Sequence, residues 1–270
     1  MQKVEGPPSH SFFIKERRRR QSRRCGSLGF ASCVARLGFL SLLQWGREKG
    51  CLWGSRTCES AATGGHLEVL KWARENGCPW NPSHICISAA ESNNPAVMKW
   101  LRGQGCPWNE IVCSRAAKLG NLKVLRWARK HGCPWNKITC SNAASGGHLQ
   151  VLKWARKHDC PWDELTTWKA AESGHLRILK WARAKGCEWD ARVCIVAVRE
   201  GHLKVLEWLR DNGCPWDVET CANAAAGGHL QVLKWAKENG CHWDSSTCEQ
   251  AYETKNFAVL DWALENGCYF

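Results

Sequence analysis

The tryptophans of this chain recur every 27 residues, apart from one extra residue near positions 82–84. Of the 18 tryptophans, every one except Trp168 belongs to one of two ladders. The first ladder is Trp45, Trp72, Trp100, Trp127, Trp154, Trp181, Trp208, Trp235 and Trp262. The second ladder is Trp53, Trp80, Trp108, Trp135, Trp162, Trp189, Trp216 and Trp243. A fixed period of this length is typical of stacked units that bury their apolar faces against one another. The spacing therefore predicts a repeat protein.

The repeat register divides the chain into a tail and an array. Residues 30–270 hold nine repeats, the first degenerate and the last a partial cap; they are 30–56, 57–83, 85–111, 112–138, 139–165, 166–192, 193–219, 220–246 and 247–270. Residues 1–29 have no register, and we expect a basic, disordered arm there. Its clustered cations suit a nuclear-localisation signal or an acidic partner, although a solvated tail explains the same composition. The arginines of this arm are Arg17, Arg18, Arg19, Arg20, Arg23 and Arg24.

The pattern within each repeat predicts two short helices joined by turns. In the second repeat, Thr57 is placed to cap the first helix and Gly65 to end it. The second helix, residues 67–76, has a broad apolar face that suits neighbours on several sides. Gly77 then takes the C′ position, and the Cys-Pro-Trp turn brings its tryptophan back against the stack. We therefore expect both tryptophan ladders to be columns of core side chains.

The pattern Ala-Ala-x-x-Gly-His-Leu-x-Val-Leu-Lys, followed by a glycine-terminated helix, resembles the ankyrin repeat. The family's Thr-Pro-Leu-His opening is replaced by Thr-Cys-x-x, and its usual length of about 33 residues is shortened, mostly in the turn that projects as a β-hairpin. The resemblance covers residues 30–270. It implies an all-α, ankyrin-like helix-turn-helix repeat solenoid with shortened inter-repeat turns, in which the first helices line a concave side.

Cysteine is abundant, with 18 residues, and Cys-x6-Cys pairs recur. We predict no metal site, because the histidine of some repeats is replaced by asparagine in others, as His148 is by Asn121, and because zinc ligation favours Cys-x2-Cys spacing. Equivalent cysteines of adjacent repeats are expected about 10 Å apart, beyond the Cα separation of about 7 Å that a disulfide allows. We therefore expect reduced, buried thiols that act as small apolar side chains.

The sequence carries no catalytic constellation. Each recurring His, Asp and Cys appears once per repeat, whereas an enzyme needs one asymmetric site in which a base reaches a nucleophile. The chain has no Gly-x-x-x-x-Gly-Lys, no His-Glu-x-x-His and no nucleophile elbow. We expect neither catalysis nor a cofactor.

Positions of the first helix that vary between repeats, while the frame stays fixed, suit recognition of another protein. Trp168 stands beside one of them, and an exposed aromatic is a typical binding hot spot. The alternative is that its indole fills volume lost where Thr167 replaces the usual cysteine. The candidate contact residues are Arg115, Asn142, Trp168, Lys169 and Asn223.

A basic pair recurs on the second helices. We call this set the basic stripe; its pairs are Lys71/Arg74, Lys99/Arg102, Arg126/Arg129, Lys153/Arg156, Lys180/Arg183 and Lys234/Lys237. A cationic stripe attracts acidic proteins or nucleic acid. Cations near a helix C-terminus also complement the helix dipole, and a solvated outer face needs charge, so the stripe has a purely structural explanation as well.

Together these features predict a scaffold without catalysis that presents a rigid concave surface to another protein. The alternative is a nuclear or nucleic-acid-associated binder that uses the arm and the basic stripe. We expect no membrane span, because the apolar segment 28–43 contains Arg36 and keeps the repeat register. The chain is expected to be intracellular, in the cytoplasm or the nucleus, and monomeric unless its ends associate.

Overall fold

The computed structural model describes residues 28–190, 192–214 and 218–269, and every regular element in those ranges is an α-helix. The 18 helices are α1 (Leu28–Leu37), α2 (Leu40–Glu48), α3 (Ser55–Gly64), α4 (Leu67–Glu75), α5 (Pro82–Glu91), α6 (Pro95–Gly103), α7 (Glu110–Lys118), α8 (Leu122–Lys130), α9 (Lys137–Ser145), α10 (Leu149–Lys157), α11 (Glu164–Glu172), α12 (Leu176–Ala184), α13 (Arg192–Arg199), α14 (Leu203–Asp211), α15 (Val218–Ala226), α16 (Leu230–Glu238), α17 (Ser245–Glu253) and α18 (Phe257–Glu265). The all-α prediction is confirmed. The arginines of the basic arm lie outside the described residues.

The helices form two compact units. The first comprises the described residues up to Ala116 together with Asn121–Cys133, and the second comprises Ala117–Gly120 and the described residues from Pro134 onward. Within each unit the first helices of successive repeats pack on one another: α1 on α3 and α3 on α5 in the first unit, and α9, α11, α13, α15 and α17 in series in the second. Most first helices also pack on the second helix of their own repeat, as α11 does on α12. Each unit is therefore a helical repeat solenoid.

The first helices begin earlier than the sequence predicted, and the threonine is not their cap. Helix α9 starts at Lys137, and the Asn136 side chain accepts a hydrogen bond from the Ile138 N–H at 3.0 Å. Asp163 caps α11 in the same way. In these helices the capping residue is the Asp or Asn that follows the turn tryptophan, because its side-chain oxygen reaches the orphan N–H groups of the first turn. In α3, Gly54 takes that position, and the Thr57 hydroxyl accepts a hydrogen bond from its N–H at 3.4 Å. The threonine stands two positions into the helix, and the Thr139 hydroxyl is buried without a hydrogen-bond partner in the described part of the chain.

The core of each unit consists of small and aliphatic side chains. In one repeat of the second unit, Ala143 and Ala144 of α9 pack with Val151, Leu152 and Ala155 of α10, and none is more than 2% exposed. The small residues let the first helices of neighbouring repeats approach closely, which leaves no room for an indole between them.

The prediction that the tryptophan ladders are core columns is therefore wrong. The ladder tryptophans that the structure describes lie partly exposed, and Trp45 retains 47% of its surface. A turn tryptophan meets the second-helix tryptophan of the following repeat edge to face, with ring centroids 5.8 Å apart for Trp162 and Trp181. Such pairs stabilise beyond their burial because the positive ring edge points at the negative face. The two ladders thus join in pairs at the edge of the stack.

Left-handed backbone ends the second helices, and one repeat lacks the glycine that this conformation favours. Gly186 and Gly213 take φ values of +78° and +79°, whereas Asp159 occupies the same register position with φ 61°. A side chain in this region costs roughly 1–2 kcal/mol relative to glycine, less for Asp than for most residues.

We expect Asp159→Gly to raise the free energy of unfolding by about 1 kcal/mol, because glycine removes the left-handed strain at an exposed position. Urea denaturation followed by circular dichroism measures the change. The reciprocal variant Gly186→Asp, at the matching position two helices later, should lose a similar amount. A loss of stability in Asp159→Gly would show that the carboxylate makes a contact worth more than the strain.

None of the described helices combines the length and the apolar character that crossing a membrane requires.

Candidate partner-binding site

Three successive first helices of the second unit begin around an open cavity of about 390 Å³, which we call the Trp168 cavity. Its position follows from the caps, because the residue after each turn tryptophan and the first turn of each helix point toward the neighbouring helix starts. The cavity is lined by Lys137 at the start of α9, Asp163, Glu164, Leu165 and Trp168 at the start of α11, and Asp190 and Arg192 at the start of α13.

Two ion pairs organise the rim of this cavity. Lys137 Nζ lies 2.7 Å from Asp163 Oδ2, and the partnership raises the pKa of the lysine. Arg192 reaches Asp190 Oδ2 with two guanidinium nitrogens, at 2.6 and 2.5 Å, and its hydrogen bond lowers the pKa of that carboxyl. Both pairs are exposed, so their net contribution to stability is small, about 0–1 kcal/mol each. The two ion pairs hold the long side chains of Lys137 and Arg192 in place around the Trp168 indole.

Glu164 is the remaining acidic group of the Trp168 cavity. It is exposed and makes no ion pair within the described ranges. With both aspartates neutralised by their partners, this carboxylate leaves the cavity with a net negative charge next to an aromatic face. The carboxylate favours a cation and the indole offers apolar contact to the stem of a long side chain, which makes this arrangement suited to a basic side chain.

The geometry around Trp168 also bears on its alternative role as a volume filler. Thr167 is fully buried, and its hydroxyl oxygen lies 2.8 Å from the carbonyl oxygens of both Glu164 and Glu188, so that its single proton is donated to one or shared between the two. It thereby takes the place of the cysteine thiol of other repeats, as where Cys140 donates to the Cys160 carbonyl. The indole of Trp168 does not enter that space; it is half-buried and lines the cavity.

The structure brings Trp168 and Lys169 together, but it does not bring the other predicted contact residues to this cavity. Lys169 Nζ lies 4.3 Å from the Trp168 ring centroid and 2.6 Å from Glu172. Asn142 and Asn223 are half-buried on α9 and α15 and do not line the cavity, and the Asn223 amide donates to its own helix at Glu219.

Arg115 belongs to the first unit. Its Nε lies 3.3 Å from Glu91 Oε1, with 42% of the arginine side chain exposed.

The second member of most pairs in the basic stripe has a structural role. Arg156 places its guanidinium 4.4 Å from the Trp162 ring centroid and donates to the Cys160 carbonyl at 2.5 Å. Arg102 does the same with Trp108 and Cys106, and Lys237 lies over Trp243. The two arginines satisfy a carbonyl of the turn that follows their helix, and all three cations cover an indole, which is the cation–π geometry. Among the first members, Lys99 and Lys153 are exposed, whereas Lys180 and Lys234 lie over the Trp208 and Trp262 rings.

The repeated histidines hold neighbouring repeats together. His202 Nε2 lies 3.0 Å from the Glu172 carbonyl, and His229 Nε2 lies 2.8 Å from that of Arg199, at the end of the preceding first helix. Asn256 donates its amide to the carbonyls of Ala225 and Ala226 at the equivalent place. This shared task confirms that His and Asn belong to a hydrogen-bonding set. Within the described ranges, no group of three His, Cys, Asp or Glu side chains is arranged to hold a metal.

The cysteines match the prediction in part. Most of the described cysteines are free, buried thiols, but Cys194 and Cys214 are joined by a disulfide, with Cα atoms 6.5 Å apart. The predicted separation applies to equivalent cysteines of adjacent repeats, whereas Cys194 and Cys214 lie within one repeat, 20 residues apart. The hairpin of first and second helix brings the start of one next to the end of the other, inside the range that a disulfide allows.

Comparison of the chain with protein-family models and with curated proteins finds no match. The resemblance to ankyrin repeats therefore stays a prediction from the sequence.

Proposed function

We propose that the chain is a protein-binding scaffold without catalysis or cofactor, and that the Trp168 cavity is a contact site for another protein. The observation that carries this proposal is a half-exposed indole, off both tryptophan ladders, that lines a cavity ringed by charged side chains. Trp168 occupies the register position of Ser141 and Ile195 in the flanking repeats, so the aromatic ring is specific to one place in the array. Aromatic residues at the centre of a charged rim are typical of interface hot spots.

The cavity favours a basic side chain of the partner. The carboxylate of Glu164 is available to pair with a cation, and the Trp168 ring, over which Lys169 Nζ already lies, offers apolar contact to the stem of the same side chain. The two ion pairs of the rim restrain Lys137 and Arg192 before binding, so little side-chain entropy is lost when the partner arrives. The ankyrin-like character of the repeats supports the same class of function.

A pull-down from nuclease-treated lysate tests this proposal with the variant Trp168→Ala/Lys169→Glu. The matched control is Glu249→Ala/Gln250→Glu, which changes the same two register positions in α17, outside the cavity. We expect a protein that wild type and control retain and that the cavity variant loses by at least tenfold, and calorimetry with that purified partner should reproduce the loss. If wild type, control and cavity variant retain the same proteins, the cavity is not a contact site.

The alternative function, binding of nucleic acid through the arm and the basic stripe, makes a different prediction. The exposed first members of the stripe support it, whereas the stacked arginines do not. Binding to a fluorescent oligonucleotide should then fall steeply as salt rises, with a slope set by the number of phosphate contacts, and should need the arm. The Trp168→Ala/Lys169→Glu variant would leave such binding unchanged.

A further inference from the structure

Cysteines 20 residues apart meet inside a repeat, near the start of its first helix and just after its second helix. The sulfurs of Cys221 and Cys241 are 3.1 Å apart, and both residues are at most 3% exposed. In other repeats the first thiol lies against the carbonyl of the second cysteine, as for Cys86 and Cys106 at 3.9 Å. The pairs are Cys58/Cys78, Cys86/Cys106, Cys113/Cys133, Cys140/Cys160, Cys194/Cys214, Cys221/Cys241 and Cys248/Cys268.

We propose that these pairs are oxidisable dithiols, each of which a small peroxide such as hydrogen peroxide converts into a disulfide within its own repeat. The bridge between Cys194 and Cys214 shows that the backbone of a repeat accommodates the product. The other pairs share the same hairpin and the same sequence separation. This modification is independent of the Trp168 cavity and of any partner.

The reaction takes two steps. The thiolate of one cysteine attacks a peroxide oxygen; the S–O bond forms as the O–O bond breaks, and the departing hydroxide takes up a proton and leaves as water. The second sulfur then attacks the resulting sulfenic sulfur, and the S–S bond forms as the S–O bond breaks. The hydroxide released in this step takes the proton of the second thiol. Two electrons pass from the two sulfurs to one peroxide, which becomes two waters.

In two of the pairs the second cysteine is the better nucleophile. It follows the C-terminus of the second helix, where in several repeats an arginine four residues earlier contacts its carbonyl, as Arg129 does at Cys133. At Cys106, by contrast, burial raises the pKa of the thiol. In the pair Cys58/Cys78, the hydrogen bond from Cys58 and the charges of Arg47 and Arg74 lower the pKa of the Cys78 thiol. The hydrogen bond from Cys113 likewise lowers the pKa of Cys133. The first cysteine of each pair then resolves the sulfenic acid, because it is already in contact.

One repeat of the array is an internal control. Cys187 has Thr167 in place of its partner, and its thiol donates to the Asp163 carbonyl at 3.2 Å. The threonine hydroxyl keeps the contact with the other end of the hairpin through Glu188. Cys187 thus keeps the carbonyl contact of the second cysteine of a pair but lacks the resolving sulfur, and burial together with the charge of Asp163 raises the pKa of its thiol to about 12.

Peptide mapping by mass spectrometry tests the proposal. The full-length chain is reduced with dithiothreitol, desalted, treated with hydrogen peroxide, alkylated and digested without reductant. We expect disulfide-linked peptides that join cysteines 20 apart, such as Cys221 with Cys241, to rise from near absence to the main form, while Cys187 stays a thiol or carries sulfinic acid. In Thr167→Cys, a new bridge between residues 167 and 187 should form under the same treatment.

Two results would overturn the proposal. The first is the formation of disulfides between different repeats as often as within one repeat. The chain oxidised in guanidinium is the reference, because an unfolded chain forms disulfides without regard to the repeats. The second is accumulation of sulfinic acid at Cys78 and Cys133 without a bridge. Wild type alone decides both outcomes, so the test stands even if Thr167→Cys fails to fold.

Discussion

Gly201→Ala is expected to lower the free energy of unfolding by about 2–5 kcal/mol, through left-handed strain of roughly 1–2 kcal/mol and overpacking of about 1–3 kcal/mol. The backbone at Gly201 has φ +75°, and an added Cβ would lie 2.5 Å from His229 Nδ1. The ring cannot easily withdraw, because His229 Nε2 is held 2.8 Å from the Arg199 carbonyl. An alanine side chain at position 201, at the end of a first helix, would therefore clash with the histidine of the next repeat.

Gly186→Ala separates the two contributions. Gly186 has φ +78°, but an added Cβ there would meet no atom within 4 Å, so only backbone strain of about 1 kcal/mol remains. Urea denaturation measures the free energy of unfolding of both variants, and the difference between their losses is the cost of the contact with His229. In a His229→Ala background, Gly201→Ala should cost no more than Gly186→Ala. Equal losses of stability in Gly201→Ala and Gly186→Ala, each in the wild-type background, would show that the His229 ring moves aside and that overpacking adds no cost.

The sequence could predict the helix pairs and their glycine ends because both follow from local pattern. Gly201 and Gly186 stand at fixed distances after apolar runs, and positive φ favours glycine whatever the neighbours are. The helix starts could be placed only to within a few residues. Thr139 and Asn136 both suit an N-cap by type, and which one caps depends on where the turn before the helix ends.

The burial of a side chain, and its contacts between the two helices of a repeat, could not be predicted from the sequence. Periodicity assigns a tryptophan to an apolar face, but the close approach of alanine-rich helices then leaves the indoles at the edge, as with Trp162 and Trp181. The pairing of Cys194 with Cys214 requires the crossing geometry of two helices. The Trp168 cavity draws on three helix starts spaced 27 residues apart, and only Trp168 itself, off both ladders, marked the place.

Trp181→Ala is expected to lower the free energy of unfolding by about 2–3 kcal/mol, below the 3–5 kcal/mol typical of a fully buried tryptophan because the indole is partly exposed. The substitution removes the edge-to-face contact with Trp162, whose other neighbour is the Arg156 guanidinium at 4.4 Å. An aromatic pair of this kind contributes about 0.5–1.5 kcal/mol beyond burial. Trp181→Phe keeps a ring in place and should lose about half as much, measured by the same denaturation.

Trp168→Ala is the matched control, because it removes another partly buried indole from the same unit. Trp168 lines a cavity and pairs with no other tryptophan of the described residues, so we expect a loss of about 1–2 kcal/mol, smaller than that of Trp181→Ala by the contribution of the aromatic pair. A difference between the two variants would assign the ladder tryptophans to the fold and Trp168 to recognition. Equal losses would place Trp168 among the residues that support the repeat, and any loss of a partner in the pull-down would then follow from a weakened helix α11.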